Sequence, residues 1–213
     1  MARLLKGIFG PISGKLGPVI GSSWKGIAYL REVRPKKETK VPRTEAQIAN
    51  EQKFKFVQNW LVPFHPYVTI GFSKKAIRKS EINVAFSANF HLAITGVYPN
   101  LDVDYSKVII SAGELPQLDQ PAMELVLPDT LKITWQQNTD PGASFDDQLM
   151  LVLYCPELKM ADGLTGGVKR KALTCSFQFD PLLIGKPLEV YIAVTSSDRK
   201  KIADSRYLGR MEP

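Results

Sequence analysis

Thr130-Leu-Lys-Ile-Thr-Trp-Gln136 alternates apolar and polar side chains, with Leu131, Ile133 and Trp135 on one side. A period of two over seven residues is the pattern of a half-buried β-strand, and Trp135 is its natural core anchor. Working outward, the same alternation appears in Leu173, Cys175, Phe177 and Phe179, and again in Val190, Ile192 and Val194, with Tyr191 on the opposite face. Beyond Tyr98 turn signals recur at intervals of roughly 8 to 15 residues, as an all-β domain requires. Candidate strands fall at 107–111, 123–127, 130–136, 148–155, 171–179, 188–196 and 202–207. Seven strands with this spacing predict an antiparallel β-sandwich of the fibronectin or immunoglobulin type over residues 98–213.

Before Tyr98 the period is close to 3.6. Thr44 with Gln47 makes a capping box, and Glu45 places an acid at the positive end of the helix dipole. A helix is expected over 45–61, with Ile48, Phe54, Val57 and Leu61 on its apolar face, Phe56 and Trp60 beside it, and Pro63 after its end. A short second helix is expected around Phe72, Ala76 and Ile77. A further helix follows the N-cap Ser80 through Ile82, Ala85, Phe86, Asn89, Phe90 and Ala93, and Gly96 supplies its stop. The fold class is therefore α+β: short N-terminal strands and two or three helices, then the sandwich. The organisation expected is an arm at 1–43, a helical region at 44–97 and the sandwich at 98–213.

The arm is distinctive. Glycines at 7, 10, 14, 17, 21 and 26 alternate with Ile, Leu, Val, Trp and Tyr. Such spacing opposes a helix and suits short extended segments in which a missing side chain lets another backbone come close. The longest strand expected here is 23–33, with Gly26 as a bulge or kink between Trp24 and Tyr29. Pro35 and Pro42 mark the following stretch as an extended basic linker. The net charge of +7 is concentrated in the arm: residues 1–43 hold ten basic and two acidic side chains, whereas the rest hold 18 and 19. Lys6 and Lys15, with the glycines and prolines between, interrupt the apolar run after Arg3, so the N-terminus reads as mature protein and not as a secretory signal. No apolar run reaches the roughly 18 residues of a membrane-spanning helix.

Catalytic and metal-binding patterns are scarce. The two histidines, His65 and His91, stand apart, the first read as a loop residue and the second as a partly buried structural one. Asp140-Pro-Gly-Ala-Ser-Phe-Asp-Asp147 lacks the spacing and the terminal glutamate of an EF-hand loop and reads as a solvated loop. Gly163-Leu-Thr-Gly-Gly167 lacks the Lys-Ser/Thr ending of a phosphate-binding loop and reads as a hairpin turn. Cys155 and Cys175 form no metal-binding pattern; they read as buried free thiols, with a disulfide between neighbouring strands as the alternative. No nucleophile, base and orienting group form a set, so no enzyme, cofactor or metal is expected.

Candidate interaction residues are Trp24, Tyr29, Arg31, Arg34, Lys36 and Lys37. They point to a structural or interaction protein that docks or self-assembles through its arm, by adding a strand to a sheet edge of its own or of a protein partner. Two alternatives stand beside it. The same mixture of aromatic and cationic groups suits a nucleic-acid-binding accessory protein. A carbohydrate- or ligand-binding sandwich would use exposed aromatics such as Phe145 or Tyr154.

Gly14-Lys-Leu-Gly-Pro-Val-Ile-Gly-Ser-Ser-Trp-Lys-Gly26, the helix with Gln47 and Phe54, Asn89 with 93–96, Tyr105-Ser-Lys107, Ser111-Ala-Gly-Glu-Leu115 and Ser205-Arg-Tyr-Leu-Gly209 resemble an uncharacterised family of Bacteroidetes proteins. The resemblance covers almost the whole chain and implies no catalytic residue.

Overall fold

A computed structural model describes residues 2–4, 7, 10–35 and 42–212. The chain is mixed α and β with antiparallel sheets, and residues 1–44 and 45–213 form two compact units.

In the first unit, β1 (Arg3–Leu4), β2 (Ile12–Leu16), β3 (Val19–Trp24) and β4 (Ile27–Glu32) form a four-stranded antiparallel meander in that order. Turn chemistry dictates it. Gly17 at φ +58 precedes Pro18, the positive-then-negative sequence of a type II′ hairpin turn between Leu16 and Val19. Lys25 and Gly26, both at positive φ (44° and 80°), make the two-residue turn that pairs Trp24 with Ile27. The segment 23–33, expected as one strand with a kink at Gly26, is thus the turn and second arm of a hairpin. Gly21 is where a backbone comes close: a Cβ there would lie 2.0 Å from the Ile12 carbonyl oxygen.

The second unit opens with α1 (Glu45–Leu61), one 3₁₀ turn through Pro63, α2 (His65–Gly71) and α3 (Glu81–Leu92). Ser80 caps α3, its hydroxyl accepting from the Asn83 amide at 3.2 Å. The helix stops at Leu92, before Gly96, which instead lies in β5 (Ile94–Val97), paired with β6 (Asn100–Val103). His65 opens α2 and is no loop residue, and His91 is exposed at the end of α3, edge-on to Phe90. On α1 only Val57, Trp60 and Leu61 are buried; Ile48 and Phe54 are exposed.

Seven further strands complete the unit: β7 (Asp119–Leu127), β8 (Thr130–Gln136), β9 (Gln148–Cys155), β10 (Met160–Leu164), β11 (Thr174–Gln178), β12 (Leu188–Thr195) and β13 (Arg206–Met211). They make two antiparallel sheets, ordered β10-β9-β12-β13 and β11-β8-β7. The described residues hold thirteen strands in all, eight of them (β6–β13) within 98–213, where seven were expected. The stretch 107–111 forms no strand. Asn89, fully buried, holds it as irregular backbone, accepting from the Ile109 amide at 2.9 Å and donating to the Ile109 carbonyl at 2.8 Å. The predicted hairpin turn at 163–167 begins inside β10.

The strands β9 and β12 have both faces covered. Leu149, Leu151 and Leu153 join Val190, Ile192 and Val194 in a core with Leu131, Ile133 and Trp135 of β8. On the reverse face Met150, Val152 and Tyr154, with Tyr191 and Ala193, meet Val57, Trp60, Phe64 and Phe72 of the helical stretch. Continuous apolar runs such as Gln148–Cys155 are what a strand buried on both faces requires. Two phenols on this reverse face are satisfied internally. Tyr191 donates to the Tyr105 carbonyl at 2.8 Å, and Tyr207 donates to Glu189 at 2.6 Å. Burial first, then the Glu189 carboxylate, pushes both hydroxyls well above the ordinary tyrosine range, so they remain neutral donors. Cys155 and Cys175 are buried free thiols.

Candidate interaction surface

Residues directly opposed across an antiparallel ladder share a face, so the register of the first unit sorts its side chains. The pairs Lys15 with Ile20, Ile20 with Arg31, Ser22 with Tyr29 and Trp24 with Ile27 define one face. The pairs Leu16 with Val19, Gly21 with Leu30 and Ser23 with Ala28 define the other. One face therefore groups Trp24, Tyr29, Ile20 and Ile27 with Lys15 and Arg31, and the other groups Leu16, Val19 and Leu30, with Glu32 opposite Val19. Both are open: Trp24 is 53% exposed, Tyr29 45%, Leu16 58% and Leu30 61%. In this unit Gly21 is buried, but it has no side chain to build a core with.

The predicted interaction residues divide accordingly. Trp24, Tyr29 and Arg31 come together on one face, Trp24 and Tyr29 lying two residue pairs apart along the hairpin, with Ser23–Ala28 between them. Arg34 follows β4, exposed and outside the ladder, and Lys36 and Lys37 lie outside the described residues. Leu16, Val19 and Leu30, which sequence reasoning passed over, form the second face; the Gly17-Pro18 and Lys25-Gly26 turns were the signal that fixes their register.

The sheet edge adds to this. Among the described residues β4 borders β3 alone, so one of its backbone edges is unpaired within the described sheet, and all six of its residues are exposed. Ile27–Glu32 carries no proline, and its two charges, Arg31 and Glu32, sit together at its C-terminal end, leaving Ile27–Leu30 as an uncharged stretch of edge.

The other proposed ligand contacts separate. Phe145 is exposed, with the Lys171 ammonium 5.4 Å from its ring centre. Tyr154 is buried, 2% exposed and 4.6 Å from Phe64 between ring centres, because it lies on the strand face that the helices cover; it is not an exposed loop aromatic. Among the described residues no group of three or more His, Cys, Asp or Glu side chains is placed to hold a metal ion. No described helix is long and apolar enough to cross a membrane.

Residues 11–209 match a family of unknown function, DUF6266. No curated protein matches the chain.

Proposed function

The chain belongs to this family of unknown function, and we propose that it is a non-catalytic interaction protein that self-assembles through the sheet of residues 3–32. The observation that carries the proposal is the open β4 edge flanked by apolar side chains on both faces, Ile27 and Tyr29 on one and Leu30 on the other. A small sheet with large apolar side chains open on both faces is short of burial by itself, since small sheets need a covered face to be stable. A nucleic acid stacks on aromatic and cationic groups and has no use for the aliphatic Leu16, Val19 and Leu30 face. A second copy of the chain satisfies all three features. Antiparallel pairing of two β4 edges about a two-fold axis is self-complementary, fills both rows of backbone partners and extends both apolar faces.

The second unit supplies a rigid body. The division of the strands β7–β13 into β7, β8 and β11 against β9, β10, β12 and β13, over a shared core, supports reading 98–213 as a fibronectin-type β-sandwich. Leu30→Glu tests the assembly. Leu30 is 61% exposed, so the change leaves the monomer intact while placing a charge in the joined surface. Light scattering is expected to give masses above the 23.8 kDa monomer for the native chain, rising with concentration, and 23.8 kDa for the variant. A native chain that stays at 23.8 kDa, or equal oligomers in both, overturns the proposal.

A second reading rests on the aromatic and cationic face, where Trp24, Tyr29, Arg31 and Lys15 suit a single-stranded nucleic acid. It requires binding that weakens steeply with salt and with Arg31→Ala.

A further inference from the structure

The second unit carries a cleft of about 440 Å³ whose rim is strongly basic. Lys74 and Lys75 come from the loop after α2, and Lys200 and Lys201 from the loop after β12. The one carboxylate in the lining is Glu114. The same lining also holds the apolar residues Leu115, Pro116, Pro141 and Ile202.

The floor is fixed by backbone chemistry. The segment Ser111-Ala-Gly-Glu-Leu115 is stitched to both lysine-bearing regions. Its Ala112 amide donates to Gly71 at 3.1 Å, and its Leu115 amide donates to Ile202 at 3.0 Å. The Gly113 amide donates to Asp204 at 2.9 Å, and Ser111 donates to the Ala203 carbonyl at 2.8 Å. Gly113 itself is packed so closely that a Cβ would lie 2.0 Å from the Ile202 carbonyl oxygen. The two pairs of lysines are thus held around one opening by a rigid seam.

Their charge is offset only in part, by Glu114 in the lining, by Asp204 on the Gly113 amide and by Asp198. Lys200 reaches Asp198 at 3.4 Å. The Ser196 hydroxyl and then the Lys200 amide hold that carboxyl down at about 2, so it stays ionised. Lys74, Lys75 and Lys201 make no ion pair among the described residues. Like charges gathered at one concave site raise the local positive potential and concentrate anions there. Lysine is a point-charge donor suited to phosphate, and apolar lining beside such donors favours a ligand that joins an anion to an apolar body.

We propose that this cleft binds a small organic phosphate, its phosphate among Lys74, Lys75 and Lys201 and its apolar part against Leu115, Pro116, Pro141 and Ile202. This site is independent of the assembly surface. The probes are 1-naphthyl phosphate, which has both parts, and inorganic phosphate, which has only the charge, titrated calorimetrically into the full chain at low salt. The expected result is that 1-naphthyl phosphate binds at least tenfold more tightly than inorganic phosphate. The triple variant Lys74→Ala, Lys75→Ala, Lys201→Ala is expected to lose at least tenfold of that affinity. A control with the same charge loss elsewhere, Lys132→Ala, Lys159→Ala, Lys171→Ala, is expected to keep it within about twofold. All these side chains lie at the surface or are half-buried, and an unchanged melting temperature confirms that each variant is folded. No binding of 1-naphthyl phosphate, equal binding of the two probes, or equal losses in the two triple variants overturns the proposal.

Discussion

Asp147→Ala is expected to lower the unfolding free energy by about 3 to 5 kcal/mol, the cost of leaving a buried charge without its partner. The partner is Arg170, only 4% exposed, and Asp147 is 1% exposed. Each guanidinium nitrogen has a partner: Nε and Nη2 lie 3.2 Å from the Asp147 carboxylate, while Nη1 and Nη2 reach the Gln117 and Pro116 carbonyls at 3.0 and 2.7 Å. The carboxylate also accepts from the Ser144 amide at 2.8 Å. Behind the pair, the Trp135 indole donates to the Arg170 carbonyl at 2.8 Å, so the ion pair also anchors the core tryptophan. Burial pulls the guanidinium below its ordinary pKa, and Asp147 opposes that shift. For a unit of this size the loss corresponds to a fall in melting temperature of roughly 10 °C, readable by thermal unfolding. Arg170→Met alone should cost a similar amount. Combining Arg170→Met with Asp147→Leu should cost clearly less than the two single changes summed, because no lone charge remains. Additive losses would show that the two groups act separately.

Phe64→Ala is the second large effect, expected at about 3 to 5 kcal/mol. Phe64 is fully buried at the junction of α1 and α2. Its ring lies 5.1 Å from Trp60 and 4.6 Å from Tyr154, and meets Tyr191 edge-on at 6.5 Å. It therefore joins the helices to the reverse face of β9 and β12, and truncating it opens a cavity that rigid neighbours on three sides cannot fill. Urea unfolding should show a lower midpoint with an unchanged slope, since the same surface is still exposed on unfolding. A loss below about 1 kcal/mol would mean that the helices are held chiefly by other contacts.

The parts of the fold that were legible in the sequence are those where one local rule governs. The helix at 45–61 and the strand at 130–136 fall where capping and alternation put them, and the strand at 148–155 falls on its continuous apolar run. Ser80 caps because a hydroxyl at that position has an orphan amide to accept from. Departures occur where tertiary partners override local pattern. β10 contains Asp162 and Gly163, residues poor in strands, yet it pairs with β9 along its whole length. The last strand lies at 206–211 and not at 202–207, because Ile202 and Ala203 are drawn into single bridges with Thr195 and Leu115. In the arm, composition gave extended chain and close packing at glycine, but Lys25 at positive φ hid the hairpin, since only Gly26 of that pair advertises a turn. The aromatic and cationic members of the interaction surface were legible as residue types. The aliphatic face was not, because it exists only once the register is set.

The measurement closest to the central claim is backbone amide hydrogen exchange in Ile27–Glu32, followed as a function of protein concentration. If two β4 edges pair, the amides that point away from β3 slow as concentration rises, and Leu30→Glu returns them to fast exchange. Exchange of those amides that stays fast and independent of concentration would contradict assembly through this edge.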